Sequence, residues 1–164
     1  SLHIMIMTLR CDQICGYCHA SRTNMDQDGF DMSAETARTI VDRIFETTSK
    51  FITIEFQGGE PLVNFGVVKH IIEYATARNR AYGKQLEFTM VSNLAMMDDA
   101  KLEYLLSRKV QLCTSIDGPA PLHDKQRVLP MASSYDHASR WIKRRWQDRS
   151  GSVSLPPSCA ASIR

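Results

Sequence analysis

Three cysteines stand within eight residues, Cys11, Cys15 and Cys18, in the pattern C-x3-C-x2-C. Thiolates are the ligands of iron–sulfur clusters, and three of them on one short loop can hold three irons of a cubane. No fourth cysteine lies nearby, so one iron would be left open, the feature that separates catalytic metal centres from structural ones. Two other readings fit the same cysteines. One is a zinc site completed by His19; the other is a thioredoxin-like redox pair at Cys15 and Cys18, which leaves Cys11 without a role.

Further along, Gly58-Gly59-Glu60-Pro61 joins two residues that tolerate close backbone approach to a carboxylate and a stiff exit. Glu60 is able to accept charge-assisted hydrogen bonds from an ammonium group; the bland alternative is a strand-ending turn. Ser92-Asn93 either lines a pocket or closes a turn. Ser115-Ile116-Asp117-Gly118-Pro119 is followed by His123-Asp124 and Arg127. Arginine suits a carboxylate because its planar fork makes two parallel hydrogen bonds, while the alternative here is a solvated loop with a helix-capping Asp117.

The elements that must position these residues follow from the hydrophobic pattern. Residues 2–9 form a continuous apolar run, which reads as a strand buried on both faces. Ser33 is a candidate N-cap, with Thr36 where a capping box prefers Glu, and Ala37, Ile40, Val41, Ile44 and Phe45 recur at helical spacing. Strands are expected over 51–56, 86–91 and 110–116, and helices over 65–80, 98–108 and 133–146, with a polar loop between residue 119 and the last helix. Met5, Met7 and Met90 fall on strands and read as core, as does Cys113, a small hydrophobe. Strands alternating with helices imply βα units on a parallel sheet, here about four units wound by right-handed crossovers into part of a barrel wall. In such folds function gathers at the carboxyl ends of the strands. The cysteine loop, Gly58–Pro61, Ser92-Asn93 and Ser115–Gly118 all fall there.

A C-x3-C-x-aromatic-C loop after a first strand and Gly-Gly-Glu-Pro after the second resemble the radical SAM superfamily. The resemblance implies an α/β fold of the partial (β/α) TIM-like barrel type, a [4Fe–4S] cluster on Cys11, Cys15 and Cys18, and S-adenosyl-L-methionine chelated by the open iron. An electron from the cluster then cleaves a carbon–sulfur bond, and the 5′-deoxyadenosyl radical abstracts a hydrogen atom from the substrate; the protein's task is to position the cofactors. It further implies that Gly58, Gly59, Glu60 and Pro61 bind the methionyl amino end, and that Tyr17 packs beside the cluster or adenine. Ser115, Asp117 and Arg127, placed as in anaerobic sulfatase maturases, would meet the carboxylate and ribose region, with Ser92 and Asn93 lining the same pocket. The catalytic acid or base is not assigned.

Three segments narrow the resemblance: Leu-His-Ile-Met-Ile-Met-Thr-Leu-Arg-Cys, Ile-Glu-Phe-Gln-Gly-Gly-Glu-Pro-Leu-Val-Asn-Phe and Ser-Ile-Asp-Gly-Pro. Together they are similar to the His-Xaa-Ser system maturases among the SPASM-type peptide-modifying enzymes. That implies a ribosomally made peptide or protein substrate with His-Xaa-Ser repeats, and an electron donor such as flavodoxin or ferredoxin.

Composition bounds the remainder. Of 164 residues, 43% are hydrophobic and 23% charged, with a net charge of +2, which gives no argument for nucleic acid or an anionic membrane. No apolar run approaches the roughly 18 residues of a membrane span, and the start lacks a signal-peptide pattern, so the expectation is a cytoplasmic protein. The chain begins at Ser1, which suggests an incomplete start. Family barrels have about six βα units, so residues 1–146 read as the N-terminal part of the core. Residues 147–164, rich in Ser, Pro and Arg with Pro156-Pro157 and an incidental Cys159, read as a truncated or frame-disrupted tail. A catalytically inert cluster- or cofactor-binding fragment and a zinc-stabilised structural domain are the competing functional classes.

Overall fold

The computed structural model describes residues 1–147; the expected tail, with Pro156, Pro157 and Cys159, lies outside the described residues. Four strands, β1 (Leu2–Ile6), β3 (Phe51–Gln57), β4 (Gln85–Val91) and β5 (Gln111–Cys113), form an all-parallel sheet in that order. A small antiparallel pair, β2 (Ile14–Cys15) with β6 (Arg127–Val128), stands apart. Helices α1 (Ala34–Phe45), α2 (Phe65–Tyr82) and α3 (Asp99–Ser107) make the crossovers, and α4 (Ala120–Gln126) and α5 (Ser134–Gln147) follow β5.

Local chemistry sets these boundaries. Ser33 Oγ accepts the Thr36 N–H at 3.0 Å and opens α1. Gly83, at φ +61°, ends α2 in the left-handed region that glycine enters without cost. Asp98 caps α3 by accepting the Lys101 N–H at 2.7 Å. The polar loop expected after Pro119 contains a helix instead: Pro121 sits in the first turn of α4, where proline is pre-organised. Seven residues are too few to show an apolar period, which is why the pattern missed it.

The core lies between one face of the sheet and α1, α2 and α3, where Met5, Ile52, Ile54, Phe56, Phe88 and Met90 meet Val41, Val68, Ile71 and Leu105. Strand β1 departs from the expected two-sided burial. Met5 is 2% exposed, but Leu2 and Ile4 on the opposite face are 58% and 53% exposed, because the helices cover only one side of the sheet. The expected strand over 110–116 shortens to three residues, since its continuation turns away to carry Ser115–Gly118.

Pairing between β1 and β3 runs on past the strand ends. Met7 donates its N–H to Gln57 O at 2.8 Å, Gly59 to Thr8 O at 2.8 Å and Glu60 to Arg10 O at 2.9 Å. A β-carbon on Gly58, which has φ +140°, would lie 2.2 Å from Thr8 O, and one on Gly59 2.3 Å from Arg10 O. The glycines are thus required by the backbone leading into Cys11. Gly66, by contrast, has nothing within 4 Å of its β-carbon position and lies in the first turn of α2. Gly59→Ala should therefore cost at least about 2 kcal/mol, whereas Gly66→Ala should stabilise by about 0.5–1 kcal/mol. Urea unfolding of the two variants checks both signs.

Candidate functional site

The cysteine loop is sealed at its base by Arg10. Its Nε and Nη2 donate to the two oxygens of Asp31 at 2.9 and 2.5 Å, and Nη1 donates to Met25 O at 3.0 Å. Thr8 Oγ1 also donates to Asp31, at 2.6 Å. The hydrogen bonds from Arg10 hold the Asp31 carboxyl below its ordinary value. Neither Arg10 nor Asp31 stood out in the sequence; the only signal was an arginine immediately before the first cysteine.

The next constraint comes from the β3 and β4 exits. Glu60 is completely buried, with Oε1 accepting Leu62 N–H at 3.0 Å and Ser92 Oγ–H at 2.8 Å, and Oε2 accepting Asn93 N–H at 2.8 Å. Burial pushes its carboxyl up to about 7, even though these three donors favour the charged form. Asn93 in turn donates Nδ2 to Asp12 Oδ1 at 2.7 Å, and the same nitrogen lies 3.8 Å from Cys11 Sγ. Ser92 and Asn93 therefore both close a turn and reach the cysteine loop. The Glu60 carboxylate is an internal staple between strand exits, and neither it nor Pro61, which is also buried, is among the residues lining the cleft beside the cysteines.

From the far side, β6 pairs with β2, setting Arg127 opposite Cys15 and Val128 opposite Ile14. Gly16 N–H adds a bond to Gln126 O at 2.9 Å. Tyr17 Oη donates to Asp117 Oδ2 at 2.5 Å, Arg127 Nε donates to the same oxygen at 3.0 Å, and the Arg127 guanidinium stands 5.3 Å over the Tyr17 ring. Burial works to raise the Asp117 carboxyl, but the bonds from Tyr17 and Arg127 prevail and hold it below its ordinary value. Tyr17 moves the other way, up to about 12, through burial and its bond to Asp117.

A cleft of about 230 Å³ opens between these segments. It is lined by Cys11, Cys15 and Cys18 together with Tyr17, Gly58, Gly59, Ser92, Asn93, Ser115 and Arg127. Gln57, His19 and the buried Gln13 also face it, without having been singled out by motif except for His19 as a possible zinc ligand. Cys15 Sγ lies 3.7 Å from Gln13 Oε1. Asp117 is absent from the lining, and Cys113 is half-buried rather than core.

Three thiols on one loop are a donor set that fits a cubane, because thiolates are the ligands of such clusters. Among the described residues no group of three or more His, Cys, Asp or Glu side chains is gathered as for a single metal ion. A cubane presents three separate irons, and its thiolates need not meet at one point. Burial pushes the Cys11 thiol up to about 12 and raises Cys15 as well. Ligation must therefore release protons, as thiolate binding to metal does.

Residues 5–144 match the radical SAM superfamily. The chain is 29% identical over 116 residues to an uncharacterized protein of Methanocaldococcus jannaschii, covering 70% of this chain and 38% of that protein. It is also 29% identical over 129 residues to an uncharacterized protein of Methanothermobacter thermautotrophicus, covering 77% and 47%. The radical SAM cyclopropyl synthase TigE of Paramaledivibacter caminithermalis is 24% identical over 132 residues, covering 73% and 27%. The chain thus spans less than half the length of each of these relatives. Among solved structures, native anSMEcpe with bound AdoMet superposes with a TM-score of 0.77 at 20% identity, covering 89% of this chain and 41% of that one. The form with bound AdoMet and a peptide gives 0.77 at 19% identity, covering 90% and 40%. These likenesses establish the fold as part of a radical SAM TIM-like barrel. Among the described residues no helix is long and apolar enough to cross a membrane.

Glu60→Gln sets an amide N–H2 against the N–H donors around the carboxylate and should lower stability by about 1–3 kcal/mol. Because folding raises the Glu60 pKa from 4.5 to about 7, this group binds a proton more readily in the folded state. Its contribution to stability is fully present below 4.5 and is lost as pH rises towards 7. Thermal unfolding at a series of pH values should show that slope in the parent protein and its loss in Glu60→Gln.

Proposed function

We propose that this chain, which belongs to the radical SAM superfamily, forms the cofactor-binding part of an enzyme that modifies a ribosomally made peptide or protein. The cofactors of that superfamily are a [4Fe–4S] cluster and S-adenosylmethionine. In our reading Cys11, Cys15 and Cys18 hold the cluster, and residues 1–146 are the N-terminal part of the barrel core. The observation that carries the reading is the convergence of three strand-end motifs with the cysteine loop on one cleft. Held by Cys11, Cys15 and Cys18, a cluster would supply the single electron that reductive cleavage of S-adenosylmethionine requires.

The chain's own residues orient and enclose. Arg127, whose Nε is already engaged by Asp117, turns its remaining fork to the cofactor carboxylate. Ser115 and Asn93 supply polar contacts from the neighbouring strand ends, and the Gly58–Gly59 backbone forms the wall towards the methionyl amino end. Glu60 and Pro61 act behind that wall, and Asp117 acts through Arg127 and Tyr17. Tyr17 covers the cleft beside the cysteines. The peptide-directed part rests on anSMEcpe, solved with AdoMet and a peptide; TigE, named a radical SAM cyclopropyl synthase, supports the radical SAM enzyme class. Similarity of the three quoted segments to His-Xaa-Ser system maturases narrows the substrate to a peptide with such repeats. A flavodoxin- or ferredoxin-like electron donor in a reducing, cytoplasmic setting completes the scheme.

Anaerobic reconstitution should give about four irons and four sulfides per chain with a thiolate-to-iron absorbance band. Replacing any one of the three cysteines by alanine should abolish it, and zinc uptake alone would defeat the assignment. Addition of S-adenosylmethionine and dithionite to the reconstituted protein should release 5′-deoxyadenosine. Arg127→Ala should weaken S-adenosylmethionine binding about tenfold or more, read by calorimetric titration.

A further inference from the structure

We infer that His123 and Asp117 are positioning residues: the buried imidazole fixes the loop bearing Asp117, and Asp117 fixes both Arg127 and the cysteine loop. The inference deepens the proposed function and rests on its reading that Arg127 meets the cofactor.

The chain of contacts is continuous. His123 is only 1% exposed, a rare state for this residue unless it is satisfied. Its Nδ1 accepts the Asp117 N–H at 3.2 Å, which requires the tautomer carrying its proton on Nε2. Burial, with the nearby Arg127 charge, lowers the His123 pKa and favours that neutral form. The ring packs edge-on against Tyr135, with centroids 5.9 Å apart. The adjacent Asp124 accepts Ser134 Oγ–H at 3.0 Å and Tyr135 N–H at 2.8 Å, so α4 is anchored to the start of α5. Asp117 therefore hangs from a rigid support.

On the other side of that support, a single oxygen, Asp117 Oδ2, receives both Tyr17 Oη and Arg127 Nε. Arg127 and Asp117 are 16% and 17% exposed, so their pairing is shielded from solvent. Asp117 does not line the cleft, while Arg127 and Tyr17 do. The carboxylate thus acts on the cleft through two other side chains. It orients the guanidinium fork and, by way of Tyr17, ties the loop between Cys15 and Cys18 to the same point. Among the described residues Arg127 has no other hydrogen-bond partner for its terminal nitrogens, which leaves the two-toothed edge free for a carboxylate.

The experiment compares His123→Leu, His123→Asn and Tyr17→Phe with the parent chain after anaerobic reconstitution. Iron content, thermal midpoint and the Kd for S-adenosylmethionine are measured, together with the shift that S-adenosylmethionine induces in the electron paramagnetic resonance of the reduced cluster. His123→Leu removes the acceptor and should raise Kd about tenfold with iron content unchanged, while His123→Asn, whose Oδ1 replaces Nδ1, should recover to within about threefold of the parent. Tyr17 is half exposed, so Tyr17→Phe should fold normally; it should raise Kd about threefold and weaken the spectral shift. If His123→Leu fails to fold, the Tyr17→Phe result and the Asn variant decide. Parent-like Kd in His123→Leu or in Tyr17→Phe, or an Asn variant as weak as the Leu variant, overturns the inference. Arg127→Ala separates the two levels. An unchanged Kd there removes the assignment of Arg127 and this inference with it, whereas a weakened Kd in Arg127→Ala with parent-like values in the other variants overturns the positioning role alone.

Discussion

The backbone leaving β3 must run against the backbone leaving β1, and the rest of the site depends on that approach. Two successive hydrogen bonds, from Gly59 to Thr8 and from Glu60 to Arg10, carry the parallel ladder to the residue before Cys11. A side chain at either glycine would drive the two segments apart, because the obstructing atoms are carbonyl oxygens with no rotamer to yield. Once the approach is made, Glu60 is drawn below the surface and has to find its partners there. It finds them in Leu62, Ser92 and Asn93, which brings the end of β4 up to the end of β3. A buried carboxylate with three donors is costly to disturb, so the motif fixes the floor of the cleft rather than offering its charge to solvent.

Held in this way, the cysteine loop is clasped from two directions by opposite kinds of interaction. On the side of the sheet the contacts are backbone ladders and the amide of Asn93. On the other side stand a two-residue β-pair and an ion pair, with Tyr17, Asp117 and Arg127 sharing one carboxylate oxygen. The cation of Arg127, together with that of Arg22, works against burial at Cys15. Such a partner matters in a cleft where three thiolates would otherwise gather negative charge.

The same sheet that organises the cleft is covered on one face. On β1, Leu2, Ile4 and Ile6 remain exposed on the side opposite His3 and the core residue Met5. In the superposed anSMEcpe structures, this chain accounts for about two-fifths of the length, and each sequence relative is more than twice as long as the segment matched. An apolar strand face turned to the inside of a barrel wall has the residue types that such an interior uses. The periodicity of residues 2–9 is that of a strand apolar on both faces.

Much of this was legible in the residues alone. The βα alternation, the N-cap at Ser33, the core faces of α1 and α2 and the placement of every motif at a strand's carboxyl end follow from short-range periodicity and turn chemistry, which tertiary context seldom overturns when elements are long. The spacing of the three cysteines reads as a metal site, with a redox pair as its alternative. What the sequence could not determine is which member of each motif faces the cleft. Glu60 and Asp117 are carboxylates in motifs that read as cofactor-binding, yet one is entirely buried and the other spends its charge on Arg127 and Tyr17. Whether a carboxylate meets solvent or a neighbouring strand end depends on contacts 32 residues away for Glu60 and Ser92, and 100 residues away for Tyr17 and Asp117. Local spacing carries no record of such separations; only the packed sheet, by bringing its strand ends to one edge, decides them.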